Sequence, residues 1–187
     1  MTDSFPDWRA ARTFDHLCEL GARFIEGAPV GFPGWLPGEL DDESDSQVAL
    51  LARAQRAGFL TLASQPGLPP EPGADGRIER RRAFVFGFAT PDLAACLERA
   101  AKAAGLLITH FSARESGGEP WPVAQRGSDT FLAVGDAQGP AELALFEDAL
   151  GPGPALEALA ATRYLVLVDP TWGRDDRLWP AIAQAID

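Results

Sequence analysis

The chain has 187 residues, of which 46% are hydrophobic, and a formal net charge of -11 at neutral pH. Because this length and apolar content can bury a substantial core, we predict a single domain over residues 1–187. The acidic balance argues against a nucleic-acid binder or an anionic-membrane binder, since both interactions need a positively charged surface.

Signals for membranes, metals and cofactors are missing from the sequence. No apolar stretch reaches the length of a membrane span, and the segment after Met1 does not have the basic and then apolar order of a signal peptide, so we expect a cytoplasmic protein. With two cysteines (Cys18 and Cys96) and two histidines (His16 and His110), we predict buried free thiols and no metal centre. No glycine-rich phosphate-binding motif occurs, so no cofactor is predicted.

Helical spacing of apolar residues predicts the first two helices. One covers residues 8–26, with Thr13 able to cap its first turn. The second starts after Ser44 or Ser46 and ends before Gly58. Residues 28–42, between them, are rich in proline, glycine and aromatic residues, which predicts an ordered surface loop.

Short apolar segments predict the strands, at residues 59–63, 83–88, 106–111, 130–134 and 164–168, with an edge strand near 122–125. Thr90, Pro91 and Asp92 supply an N-cap, a first-turn proline and an acidic first turn for a helix that ends at Ala104. Because a helical crossover of this length suits neighbouring parallel strands, we predict that 83–88 and 106–111 pair in parallel. Further helices are predicted at 141–150 and 155–161.

The alternation of strands and helices predicts an α/β fold, a single domain with a mixed, largely parallel sheet flanked by helices. In such sheets ligands bind at the carboxyl ends of the strands. Polar side chains follow several of the predicted strands, and we expect them to line one pocket: Ser64, Gln65, Arg82, His110, Asp169, Arg174 and Asp175.

The segment after the last predicted strand also has a purely structural interpretation. Asp175 or Asp176 can cap the closing helix, and Trp172 and Trp179 can bury large areas against the core. In this interpretation Arg174 pairs with Asp169, and the segment locks the fold.

Our leading hypothesis is a non-catalytic binding or accessory protein that recognises a small anionic ligand. Gln65, Arg82, Arg174 and Asp175 are the predicted ligand-binding residues, because guanidinium groups hold carboxylates and phosphates through paired hydrogen bonds. A protein partner is the other possible ligand.

Two alternatives remain open. The first is a small-molecule hydrolase or transferase, with His110 or Asp169 as general base, or with Ser64, His110 and Asp169 as nucleophile, base and orienting acid. The second is a protein-interaction module with aromatic side chains on loops as its anchors, namely Phe32, Trp35 and Trp121. No Gly-x-Ser-x-Gly elbow supports the enzyme, so catalysis is left undecided.

Three motifs stand out: the segments from Arg56 to Gly67 (RAGFLTLASQPG), from Arg82 to Phe88 (RAFVFGF) and from Asp169 to Pro180 (DPTWGRDDRLWP). Together they resemble a domain family of unknown function found mainly in actinomycetes. The resemblance spans most of the chain and implies membership of the family, without implying a chemistry. Two positions depart from the family pattern, which commonly has Asn at Gln55 and Gln at Arg81, so any ligand contact of those amides is in doubt here.

Overall fold

The computed structural model describes residues 5–34, 46–136 and 139–187. The helices within these ranges are α1 (Pro6–Ala10), α2 (Phe14–Ile25), α3 (Val48–Arg56), α4 (Pro91–Ala104), α5 (Gly139–Leu150), α6 (Pro154–Ala160) and α7 (Leu178–Ile186). The strands are β1 (Phe59–Gln65), β2 (Glu71–Pro72), β3 (Ile78–Arg81), β4 (Phe84–Ala89), β5 (Leu107–Ser112), β6 (Trp121–Arg126), β7 (Asp129–Val134) and β8 (Arg163–Val168). None of these helices is both long and apolar enough to cross a membrane.

The strands form two separate four-stranded sheets in which every pair is antiparallel. The main sheet has the order β1-β4-β8-β5, and the small sheet has the order β2-β3-β6-β7. The predicted α/β fold with one largely parallel sheet is therefore wrong. Helices and strands do alternate along the chain, but the sheets that they build are antiparallel.

The predicted parallel pair fails for a specific reason. β4 and β5 do run in the same direction on either side of the crossover helix α4, but β8 is inserted between them and pairs antiparallel with both. The length of the crossover correctly indicated that β4 and β5 are parallel, but it carried no information about whether they are neighbours in the sheet. β8, the last strand of the chain, lies between them.

The small sheet contains segments that the sequence pattern missed. β2 lies within residues 68–76, where no strand is predicted, and β3 has the charged sequence Ile-Glu-Arg-Arg, which lacks an apolar alternation. β6 and β7 were anticipated near residues 122–125 and 130–134, and both pair within this second sheet. A charged strand of this kind gains its stability from pairing on both sides more than from burial.

Capping residues in the sequence predicted where two of the helices begin. Thr13 accepts a hydrogen bond from the His16 backbone N–H at 3.2 Å, which confirms it as the cap of α2, although it divides the predicted first helix into α1 and α2. Thr90 caps α4, as predicted, and Gly105 ends that helix at φ 68°. The predicted Ser44 cap and most of the predicted 28–42 loop lie outside the described residues.

The main sheet carries helices on both of its faces. Phe88 of β4 and its register partner Tyr164 of β8 share one face, where Phe88 meets the edge of Phe146 from α5. Because side chains alternate along a strand, Leu165 points to the opposite face, together with its partner His110. His110 lies 3.5 Å from Glu98 of α4, which identifies the face that α4 covers.

Gly87 is expected to be indispensable at the centre of this sheet. A Cβ atom there would lie 2.2 Å from the backbone oxygen of Leu60 and 2.8 Å from the Cα of Thr61, where β1 carries a bulge. Backbone atoms on a paired strand cannot move aside, so Gly87→Ala should lower the free energy of unfolding by about 3 kcal/mol in urea titration. Gly117→Ala is the control, because its Cβ would make only an ordinary 3.5 Å contact with Phe111. Equal losses for the two variants would contradict the argument.

Candidate functional site

The turn between β8 and α7 is organised by an ion pair between a buried carboxylate and a partly exposed arginine. Asp169 is fully buried directly after β8, and its carboxylate accepts hydrogen bonds from the Arg177 guanidinium, at 2.9 Å from Nε to Oδ2, with a second and shorter contact from Nη2. The Thr171 backbone N–H donates to the same carboxylate at 2.8 Å. Arg177 Nη2 also donates to the Thr171 hydroxyl at 2.7 Å. Thr171 is therefore bonded to both members of the ion pair.

Asp175 ties this turn to two other parts of the chain. Its Oδ1 accepts from the Gly67 backbone N–H at 3.1 Å and from the indole N–H of Trp179, and its Oδ2 accepts from Gln47 Nε2 at 3.3 Å. Gln47, which comes just before α3, is buried. The carboxylate therefore joins the loop after β1, the start of α3 and the closing helix.

Two glycines let the backbone segments approach closely. A Cβ on Gly67 would lie 1.8 Å from the carbonyl oxygen of Arg174, so only glycine fits against the turn. Gly173 has φ 75°, in the left-handed region, and its N–H donates to the Arg81 carbonyl at 3.0 Å. Together with the bond from the Asp169 N–H to the Ala83 carbonyl at 2.9 Å, these contacts fasten the turn to the β3–β4 linker.

This framework places Trp172 against two arginines, and we call Arg80, Arg82 and Trp172 the arginine–tryptophan cluster. The guanidinium carbon of Arg82 lies 4.2 Å from the centre of the indole ring, and that of Arg80 lies 4.7 Å from it. Both arginines are half-buried. They occur two residues apart in extended chain, which directs both side chains to the same side.

Within the described ranges, the two guanidinium groups have only neutral hydrogen-bond partners. Arg80 donates to Gln125 Oε1 through Nε at 3.1 Å and Nη2 at 2.6 Å, and Arg82 Nη1 donates to the Pro122 carbonyl at 2.9 Å. The Nε–H of Arg82 is buried without a partner among the described residues. Burial, and next the neighbouring Arg80 charge, lower the pKa of Arg82, while the Asp169 carboxylate acts in the opposite direction.

The four predicted ligand-binding residues lie near one another but differ in availability. Gln65 Nε2 donates to the Arg82 carbonyl at 3.0 Å, and Asp175 has both oxygens occupied. Arg174 is exposed and pairs with Asp176 at 2.7 and 2.8 Å, so the predicted pairing of Arg174 with Asp169 is wrong; Arg177 takes that place. Arg82 alone among the four keeps an unused buried donor.

The three candidate catalytic residues are not brought together. Ser64 and His110 lie on the opposite edge strands β1 and β5, three strand spacings or about 14 Å apart. Asp169 is four residues past Leu165, the partner of His110, which is about 13 Å along an extended strand. His110 pairs with Glu98 instead, and Asp169 with Arg177. β1 and β8 run in the same direction but are separated by β4, whereas β5 runs antiparallel to β8, so its carboxyl end lies at the opposite end of the sheet from Asp169.

The aromatic side chains proposed as interaction anchors are placed differently from one another. Phe32 is buried and packs against Trp8 and Phe146 at centroid distances of 5.2 and 6.0 Å. Trp121 is half-buried and contacts the core. Trp35 lies outside the described residues.

Sequence reasoning missed the partners that give the site its shape. The ligand-binding residues predicted from the sequence do not include Arg80, Arg177 or Trp172, and Trp172 is expected there only to pack against the core. The i, i+2 spacing of Arg80 and Arg82 is the signal that could have paired them on one side of a strand. As for metals, residues 5–34, 46–136 and 139–187 contain no group of three His, Cys, Asp or Glu side chains placed to hold an ion.

Comparison with known families places the chain. The model of a family described as "Domain of unknown function (DUF6919)" matches residues 5–187. The chain belongs to this family. The membership expected from the three motifs is thereby confirmed, and a search of curated proteins found no match. Membership of the DUF6919 family indicates no reaction or ligand.

Arg177→Met should be among the most destabilising changes in this turn. The substitution leaves the Asp169 carboxylate buried without a counter-charge, which costs about 3–5 kcal/mol of unfolding free energy in urea titration. Arg174→Met is the matched control, because its partner Asp176 is exposed and such pairs contribute less than about 1 kcal/mol. If both variants lose the same stability, the ion pair between Asp169 and Arg177 does not organise the turn.

Proposed function

We propose that this protein is a non-catalytic binding protein that recognises a small anionic ligand, a carboxylate or a phosphate, at the arginine–tryptophan cluster. The observation that carries the proposal is the partly buried Arg82 guanidinium, whose Nε–H has no partner in the part of the chain that the structure describes. A buried donor without a partner costs about 1–3 kcal/mol, and more when it is charged. A ligand oxygen at this position would remove that cost.

The charge environment supports the same ligand class. Several other arginines of the described chain pair with carboxylates: Arg56 binds Glu19 and Glu26, and Arg77 binds Asp75 and Asp129. Arg80 and Arg82 have neutral partners instead, in a protein whose net charge is -11. Two adjacent cations that form no ion pair with a described residue are a favourable site for an anion with two oxygens.

Trp172 gives the proposed site rigidity. An aromatic face stabilises a guanidinium by about 0.5–1 kcal/mol at exposed sites and more when water is excluded. The indole therefore holds the planes of Arg80 and Arg82 in place before a ligand arrives, which lowers the entropic cost of binding. Preorganised donors without a neighbouring nucleophile or base suit recognition better than catalysis.

The enzyme alternative has less support, since His110 and Asp169 are engaged with Glu98 and Arg177. The interaction-module alternative has lost Phe32 as an accessible anchor. A single domain over residues 1–187, a cytoplasmic location, and the expectation of no nucleic-acid or membrane partner remain predictions from the sequence.

Inorganic phosphate is the simplest probe of the proposed site. At a concentration about ten times its dissociation constant, phosphate should stabilise the protein by about 1.4 kcal/mol, which corresponds to about 4 °C in melting temperature for a chain of this size. Ionic strength is held constant with sodium chloride, so that screening alone produces no shift. Arg82→Gln should abolish this stabilisation, and Arg80→Gln should weaken it.

Arg77→Gln is the matched control, because it removes one guanidinium and changes the net charge equally, at a site already paired with Asp75 and Asp129. It should keep the full phosphate response, as should His110→Ala on the distant edge strand. A wild-type protein that responds to neither phosphate nor citrate would refute the proposal. So would an Arg82→Gln variant with an unchanged response.

A further inference from the structure

A cavity lies apart from the arginine–tryptophan cluster, where the end of β7 and the start of α5 approach the Tyr164 face of the main sheet. Its volume is about 330 Å³, at the small end of ligand pockets. The lining is mainly apolar but includes two carboxylates and one hydroxyl; the residues are Phe86, Pro120, Leu132, Ala133, Val134, Gly135, Asp136, Glu142 and Tyr164.

Tyr164 places an unused polar atom at this cavity. The residue is only 2% exposed, yet its hydroxyl has no hydrogen bond to any residue of the described ranges. Burial raises the pKa of Tyr164, and the charges of Glu142 and Asp136 raise it further. Glu142 and Asp136 both line the cavity with Tyr164, so their negative charges lie close enough to act on its hydroxyl. A donor group of a ligand in the cavity would give this hydroxyl a partner.

Glu142 presents an uncompensated negative charge at the same place. It lies in the first turn of α5, is half-buried, and has neither an ion pair nor a hydrogen bond in the part of the chain that the structure describes. Burial raises its pKa, which is the effect of removing water from a carboxylate without supplying a cation. A positively charged ligand would reverse that penalty.

The walls of the cavity suit the remainder of such a ligand. The rings of Phe86 and Tyr164 lie 6.0 Å apart at an angle of 48°, and Leu132 and Val134 of β7 complete an apolar surface. Aromatic faces attract cations and alkyl groups alike. Leu132 is 38% exposed, so the cavity is reached from solvent beside β7.

We propose that this cavity binds a small organic ammonium ion, with the ammonium group donating to the Glu142 carboxylate and the Tyr164 hydroxyl and a short alkyl chain against Phe86 and Leu132. The Asp136 carboxylate adds to the negative potential. A primary ammonium has the donors that two such acceptors require, and the limited volume admits only a few carbon atoms. This site is independent of the anion site, since it shares no residue with the arginine–tryptophan cluster.

The test compares butylammonium with the neutral butanol by isothermal titration calorimetry at constant ionic strength and about pH 8, where carboxylates are ionised. Butylammonium should bind at least about tenfold more tightly than butanol, because a charge-assisted hydrogen bond is lost in the neutral compound. Equal binding of the two compounds, or no binding of butylammonium, would overturn the proposal.

Glu142→Gln should weaken butylammonium binding about tenfold or more while keeping the shape of the cavity. Glu147→Gln is the matched control: it lies on the exposed side of the same helix and changes the net charge equally, so binding should stay within about twofold of wild type. Equal effects of these two substitutions would mean that only the overall charge attracts the cation. Tyr164→Phe provides a second variant and should weaken binding about threefold or more, and an unchanged affinity would remove the hydroxyl from the site.

Discussion

The buried carboxylate of Asp169 is the constraint on which the rest of the candidate site depends. A charged group without access to water needs a partner, and Arg177 supplies it from eight residues further along the chain. The intervening turn must therefore fold back over the end of the sheet. That path brings Trp172 above Arg80 and Arg82 and places Asp175 where it can bind the Gly67 N–H. The ion pair between Asp169 and Arg177 thus positions the arginine–tryptophan cluster, although neither residue belongs to that cluster.

The negative charge of the protein is distributed in a way that distinguishes the two proposed sites. At the arginine–tryptophan cluster the cations have neutral partners, and in the cavity beside Tyr164 the Glu142 carboxylate pairs with no cation of the described residues. Each site therefore has a charged group that is not paired with an opposite charge within the described ranges. Other charged side chains form ion pairs within the protein, for example Arg56 with Glu19 and Glu26. The two sites carry opposite charge, which allows ligands of different kinds to bind the same molecule.

Local signals in the sequence predicted individual elements better than their arrangement. The apolar runs at 83–88 and 164–168 are strands, and the Thr90 cap begins a helix as expected, because these features depend on neighbouring residues. Strand order depends on contacts between distant segments, and a strand buried on both faces has the same apolar sequence in a parallel or an antiparallel sheet. Ser64 and His110 do not meet because they lie on opposite edge strands of the sheet. Arg82 does lie against Trp172 of the closing turn, since polar groups of that segment anchor it to the neighbouring chain.

The central position of β8 has a consequence for how the protein is made. β4 and β5 are both synthesised well before β8, and until it arrives each presents an unpaired edge to the cell. The main sheet can close only after the chain has been translated to at least residue 168, so folding is delayed until late in synthesis. During that interval the nascent chain exposes the edges of β4 and β5, with which other chains could pair. These edges are where chaperone binding would best prevent aggregation.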